Sequence, residues 1–281
     1  FGSYTMRSLQ TELIIYVYLS GVSMFYLLKY FKLNWSICLA LAISYMLSGF
    51  ISDSSQFAYW ICGMAFLPFV FGQRPAQGPM STDKFNPVNH GYSLVWEDEF
   101  NGSQLDTLKW KPRGLGKRAL GYVSTEALQV NDGLLNLYAL KRNDSIFISA
   151  VGTQGKFMPQ FGYFECKAKL QNSPGVWGAF WLQSPQLAGG TDPKIYGAEV
   201  DIMEFFKKLG TDIVSHNVHW GPYGAGQQTT RGMQSYLKGV SSGFHTFGLL
   251  WTPETYSFYI DGLKFYEVSA GVSQIPEYLI H

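Results

Sequence analysis

Glu199, Asp201 and Glu204 fall within the short segment EVDIME, whose other members are Val, Ile and Met and which runs on into Phe205 and Phe206. Three carboxylates in so apolar a segment are costly to place inside a sheet. A lone buried carboxylate takes up a proton rather than remain charged. The acids therefore belong to a cleft where carboxyl chemistry takes place. Two carboxyl groups flanking a sugar linkage suffice for its hydrolysis, one donating a proton and the other acting as nucleophile or base.

On a regular strand, residues two apart share a face. Glu199 and Asp201 then point one way, and Val200 and Ile202 the other. Strict alternation sends Glu204 to the core. One extra residue near Met203, a β-bulge, returns it to the face of the other two acids, and bulges are frequent beside active sites because they re-aim a side chain. The spacing therefore predicts a bulge at about Met203, with Val200, Ile202 and Phe205 in the core. In the preceding segment GVWGAFWLQ, alternation puts Trp177, Ala179 and Trp181 on one face and Phe180 and Leu182 on the other. With Phe180 and Leu182 in the core, Trp177 and Trp181 line the groove, where flat aromatic faces stack on sugar rings.

These segments need a framework. From residue 92 onward the chain reads as short strand-like runs parted by turn residues, among them ALQV-NDG-LLNLYAL, YFECKAKL, TFGLLW and YSFYIDG-LKFYEV. NDG and DG are hairpin signals, because a two-residue turn needs positions that tolerate positive φ. Strands at this spacing without a long helical pattern predict an all-β fold, an antiparallel sandwich. Residues 72–91 carry Pro75, Pro79, Pro87 and several glycines without an apolar period, which reads as a linker.

Residues 1–71 are written for another solvent. Leu13 to Leu28, Leu33 to Ser52 and Ser54 to Gln73 are uncharged runs, each comparable to the roughly 20 residues a helix needs to cross a bilayer. Two or three transmembrane helices are expected here, and with them attachment to a membrane. Lys29 and Lys32 place the first connection on the cytoplasmic side. If the third run also spans, the rest of the chain is cytoplasmic; if that run is short or re-entrant, the rest is exported. An extracytoplasmic catalytic domain is the expectation.

The charge balance, 21 basic against 20 acidic side chains, cannot assemble a basic face, and no nucleic-acid partner is expected. Cys38, Cys62 and Cys166 form neither a metal-ligand spacing nor a disulfide framework. No cofactor is expected; a structural calcium is compatible with the chain, but no ligand spacing predicts it.

EVDIME resembles the bulged motif E-[IV]-D-x-x-E of glycoside hydrolase family 16, the laminarinase and licheninase-like β-glucanases. VWEDEFNG with LDTLKW, FGYFECKAKL, GVWGAFWLQ, HNVHWGPYG and FHTFGLLWTPETYSFYIDG resemble other strands of that family in the same order. The resemblance covers residues 92–281 and implies a jelly-roll, concanavalin-like sandwich. It implies Glu199 as nucleophile, Glu204 as general acid/base, and Asp201 as the partner that tunes the nucleophile. His219 matches a histidine near the acids, able to bond substrate or a carboxylate, whereas alternation turns His216 and Trp220 away as packing residues. His245, Asp98 and Glu99 are expected to be structural. In the family, the segment matching EYLIH is followed by further strands, so a C-terminally incomplete sandwich is also expected.

The resulting expectation is a retaining endo-β-glucanase acting on β-1,3- or β-1,3/1,4-linked glucan, with a polysaccharide as its partner. A transglycosylase, a galactan hydrolase of the agarase or carrageenase kind, and a non-catalytic glycan-binding module attached to a polytopic membrane protein are the alternatives. Retention of both Glu199 and Glu204 counts against the last.

Overall fold

The computed structural model describes residues 76–281 except 119, 172 and 231, together with a few helical positions between 22 and 28. The chain divides into two compact units, Phe1–Pro75 and Ala76–His281. The expected membrane spans fall almost wholly outside the described residues. Among those residues, no helix is long and apolar enough to cross a membrane.

The second unit is all-β. Its largest sheet has eight strands and is built around three long neighbours: β1 (Trp177–Gln183), β2 (Ala198–Phe206) and β3 (Ile213–Trp220). Tyr278–Ile280 pairs with β1 on the outer side, and β4 (Met233–Tyr236) pairs with β3. A second sheet runs Leu263–Val268, Tyr256–Ile260, Phe244–Trp251, Gly162–Lys169, all antiparallel. Smaller sheets are formed by Gly116–Arg118, Gly121–Val123, Leu140–Arg142 and Ser145–Ile148, and by Leu128–Asn131 with Leu134–Leu137.

The two main sheets enclose one core. Phe180, Leu182, Val200, Ile202, Phe205, Val214 and Val218 come from the first sheet; Phe247, Leu249, Trp251, Phe258 and Phe265 come from the second. Each such side chain contributes about 1.5–3 kcal/mol by leaving water. Burial on this scale fixes the register, because a slip by one residue would expose the whole apolar set and bury its opposite face.

Both hairpins expected from NDG and DG are present. Asp132–Gly133 joins Leu128–Asn131 to Leu134–Leu137, and Asp261–Gly262 joins Tyr256–Ile260 to Leu263–Val268. All four turn residues have positive φ, between 51° and 77°, as a twist-matched two-residue turn demands. His245 braces the second hairpin from its neighbour: Nδ1 lies 2.7 Å from Asp261 Oδ2, while Asp261 Oδ1 accepts from the Thr246 N–H. Asp98 is likewise occupied by structure, accepting from the Trp110 indole at 2.8 Å and from the Phe100 N–H.

The segment expected as a linker makes ordered contacts over its described part. Gln77 bridges to Ser235, the Met80 N–H donates to the Lys264 carbonyl, and Phe85 packs on His90, Tyr92, Tyr163 and Tyr259. Its prolines and glycines suit an irregular path, but edge hydrogen bonds and one aromatic anchor hold that path against the sandwich.

Candidate active site

The site is built on β2 and its two neighbours. Against β3, Asp201 faces Asn217 and Glu204 faces Ser215, so one more residue is spent on β2 than on β3. Against β1, Asp201 faces Trp181 and Met203 faces Phe180. Ile202 is therefore the extra residue, adjacent to the Met203 around which the bulge was expected. Ile202 and Met203 both enter the core, and Glu204 returns to the face carrying Glu199 and Asp201.

The residues sharing that face supply the hydrogen bonds. Glu199 is half-buried, and its Oε2 accepts from Gln183 Nε2 at 3.0 Å and from the Tyr223 hydroxyl. Gln183 also donates to the Tyr223 oxygen at 2.7 Å, which closes a three-membered ring around the carboxylate. The amide of Gln183 is held in this orientation because its Oε1 accepts from Arg113 and from the Tyr278 hydroxyl. An arginine has only donors, so turning the amide over would set its NH2 against Arg113 and its oxygen against the Glu199 carboxylate.

Asp201 is buried, with Oδ2 3.2 Å from His219 Nε2. Burial pushes its pKa up, and the nearby charge of Glu199 adds to the rise, against the opposing pull of His219. For His219, burial alone would lower the pKa, but the hydrogen bond and charge of Asp201, with Glu199 and Glu204 behind it, hold the imidazole above its ordinary value. Glu204 is also buried. Trp177 Nε1 donates to Oε1 at 3.0 Å and Asn217 Nδ2 to Oε2 at 2.8 Å. Burial, then the charge of Asp201, raise its pKa to about 7 despite those two bonds.

The bonding follows a diagonal. His219 stands opposite Glu199 but bonds Asp201, and Asn217 stands opposite Asp201 but bonds Glu204. Each β3 side chain thus leans toward the next acid along the same face of β2, and diagonal neighbours on a sheet face are within reach of side chains of this length. Trp181 stands opposite Asp201 with the Arg113 guanidinium 4.7 Å from its ring centre. Trp177 is 63% exposed and lies against Phe206 at 4.7 Å between ring centres.

The structure thus gathers Glu199, Asp201, Glu204, His219 and Trp177 on one face of the sheet, each acid with its own hydrogen-bond partners, and sets Trp181 beside them under Arg113. Gln183 and Asn217 also belong to this face, and the alternation that places Trp181 and His219 there places them with it. Tyr223 sits in an irregular GPYG turn and Arg113 far away in sequence, so neither left a local signal. Glu199, Asp201 and His219 bring one ligand atom each within 4.8 Å of one another, close enough to hold a cation. Yet Asp201 Oδ2 and Glu199 Oε2 already have partners of the protein's own.

Comparison with known proteins agrees with this geometry. The family model of Glycosyl hydrolases family 16 matches residues 118–278. The chain is 28% identical over 210 residues to glucan endo-1,3-beta-glucosidase A1 of Niallia circulans, covering 66% of this chain and 30% of that protein. It is 29% identical over 198 residues to the beta-glucanase of Rhodothermus marinus, covering 66% of this chain and 68% of the relative. Among solved structures, the laminarinase of Flavobacterium sp. UMI-01 superposes with a TM-score of 0.55 at 26% identity, over 67% of this chain and 86% of that one. With the family profile covering more than half of its length, and a bulged acidic strand at its centre, the chain belongs to the glycosyl hydrolases of family 16.

Proposed function

We propose that this chain is a retaining endo-β-glucanase that cleaves β-1,3- or β-1,3/1,4-linked glucan. Glu199 is the nucleophile, Glu204 the general acid/base, and Asp201 the charge between them. The observation that carries the reading is the bulge at Ile202, which puts two differently treated carboxyls on one face of a single strand. Glu204, buried and beside the charge of Asp201, keeps a proton near neutral pH, which suits donation to a departing glycosidic oxygen. Glu199 is steadied through Oε2 by Gln183 and Tyr223, so its carboxylate is presented in a fixed pose to an anomeric carbon.

In the first step a Glu199 oxygen bonds the anomeric carbon as the carbon–oxygen bond to the leaving sugar breaks, and Glu204 gives its proton to that oxygen. In the second, Glu204 takes a proton from water, whose oxygen displaces Glu199 with the same anomeric configuration restored. The glucan class is supported by the relatives, whose names are those of a glucan endo-1,3-beta-glucosidase, a beta-glucanase and a laminarinase. Trp177 and Trp181 are assigned to sugar stacking and His219 to steadying Asp201. We further infer, from the uncharged runs of residues 1–71, that the protein is held at a membrane with the catalytic unit outside the cytoplasm.

The deciding experiment is hydrolysis of a polysaccharide panel (laminarin, lichenan, agarose, carrageenan) by wild type and Glu199→Gln. Activity on laminarin or lichenan that the substitution abolishes, with the β-anomer first in the proton NMR spectrum, is expected. Unchanged turnover of Glu199→Gln, or early α-anomer, would sink the nucleophile or the retaining step respectively.

A further inference from the structure

His216 occupies a place that packing alone does not explain. It lies on β3 between Asn217 and Ser215, the residues that face Asp201 and Glu204, and so stands against the two bulge residues of β2. Its side chain is fully buried on the core side, in contact with Phe258 and Tyr266. A core position of this kind ordinarily takes an apolar residue. Here both ring nitrogens are engaged: Nδ1 lies 2.6 Å from the Ile202 carbonyl oxygen and Nε2 2.7 Å from Ser235 Oγ on β4.

The chemistry of the partners fixes the tautomer. A carbonyl only accepts, so Nδ1 carries the hydrogen; Nε2 then accepts from the Ser235 hydroxyl. Burial drives the ring's pKa down to about 4, so the imidazole is neutral at neutral pH. The carbonyl it holds is the significant one. Ile202 is the residue of β2 with no register partner on either β1 or β3.

We propose that His216 is a positioning residue for Glu204: by donating from Nδ1 to the Ile202 carbonyl it pins the bulge that turns Glu204 into the cleft, with Ser235 holding the ring at its far end. The inference rests on the reading of Glu204 as the acid/base. A regular strand would carry the Glu204 carboxyl to the opposite face, and a loosened bulge would let it wander from Trp177 and Asn217. Both change the delivery of a proton far more than the binding of a glycan.

The test uses the full chain with laminarin as substrate. His216→Leu removes both bonds, His216→Gln places an amide at the Nε2 position but no donor at Nδ1, and His216→Asn places an N–H where Nδ1 stood. For folded variants, checked by circular dichroism, Leu and Gln should lower kcat at least tenfold, leave KM within about twofold, and displace the alkaline limb of the pH profile. Asn should recover kcat to within about threefold of wild type. If Leu does not fold, Gln alone carries the comparison. Wild-type kcat and pH profile in a folded variant lacking the Nδ1 donor would overturn the proposal, as would an Asn variant no better than Gln. Ring-15N NMR of the wild-type protein separates this from the acid/base reading. An Nδ1–H tautomer at His216 is expected whether or not Glu204 is the acid, and an Nε2–H tautomer would overturn the clamp. Wild-type turnover in Glu204→Gln would instead remove the acid/base assignment.

Discussion

Trp177 donates its indole N–H to Glu204 Oε1 across 3.0 Å, although the residue standing directly opposite Glu204 in the register is Ala179. The small Ala179 leaves room above the carboxyl, and the large indole reaches in from two positions along β1. One side chain therefore keeps an exposed ring at the surface while its N–H steadies the carboxyl.

That bond works against the burial that raises the Glu204 pKa. Removing it should raise the pKa further, because a donor to a carboxylate favours the ionised form. Trp177→Phe should thus move the alkaline limb of kcat/KM upward by about half a pH unit to one pH unit, the effect expected of one charge-assisted hydrogen bond in a partly exposed place. A pH–rate profile on laminarin checks this. A limb that stays put would mean that Trp177 contacts sugar without tuning the acid.

How much of this could be read from the chain alone differs by kind of information. Glu199, Asp201 and Glu204 announced a bulge because alternation fails between Asp201 and Glu204, and a failure of period is a local signal. The hairpins at Asp132–Gly133 and Asp261–Gly262 were legible for the same reason, since positive φ restricts residue choice locally. Arg113 on the Trp181 ring, and Tyr223 and Gln183 closing on Glu199, depend on which distant segments the sheet order brings together. Nothing in the composition of GPYG says where its tyrosine will point. Alternation alone turns His216 to the core, where it lies; its two hydrogen bonds depend on the extra residue at Ile202 and on the pairing with Ser235, which no local pattern displays.

Asp201 should act on Glu204 with the sign opposite to that of Trp177. Its charge raises the Glu204 pKa, second only to burial. Asp201→Asn keeps the shape of the side chain and deletes the charge, so the alkaline limb should move to lower pH, with kcat falling about tenfold or more as the tuning of Glu204 is lost. The two variants measured side by side form a strong check, because no general loosening of the site moves the limb in opposite directions. An upward shift in Asp201→Asn would refute the electrostatic coupling.

A further carboxyl, buried beside the start of β2, should make stability depend on pH. Glu277 is fully buried and accepts from the Ala198 N–H at 2.8 Å, one residue before Glu199. Burial raises its pKa to about 8, above the 4.5 of an unperturbed glutamic acid. The folded protein therefore binds more protons than the unfolded chain between those values. The stabilisation is fully present below the unfolded value and lost as pH rises through the folded one. Glu277→Gln retains an oxygen for the Ala198 N–H and cannot ionise. Its Tm should vary less than that of wild type between about pH 5 and 9, with the largest gain at the alkaline end. Parallel Tm curves for the two proteins would show that Glu277 does not titrate in this range.

Gly197 determines how β2 enters the sheet and hence where Glu199 begins. It has φ of +75°, a conformation glycine adopts readily and residues with a Cβ rarely do. A Cβ added there would lie 2.3 Å from Ser184 Cβ and 3.1 Å from Glu277 Oε1. Ser184 cannot retreat freely, because its N–H donates to the Ala198 carbonyl and its hydroxyl to the Tyr196 carbonyl. Gly197→Ala should therefore combine backbone strain with a clash against a fixed neighbour, for a loss of about 2–4 kcal/mol in urea unfolding. The same shift would pull Ala198 away from Glu277, so the surviving folded fraction should also lose activity through a displaced Glu199. A variant within about 0.5 kcal/mol of wild type would show that the start of β2 yields easily, and that Glu199 is held by Gln183 and Tyr223 instead.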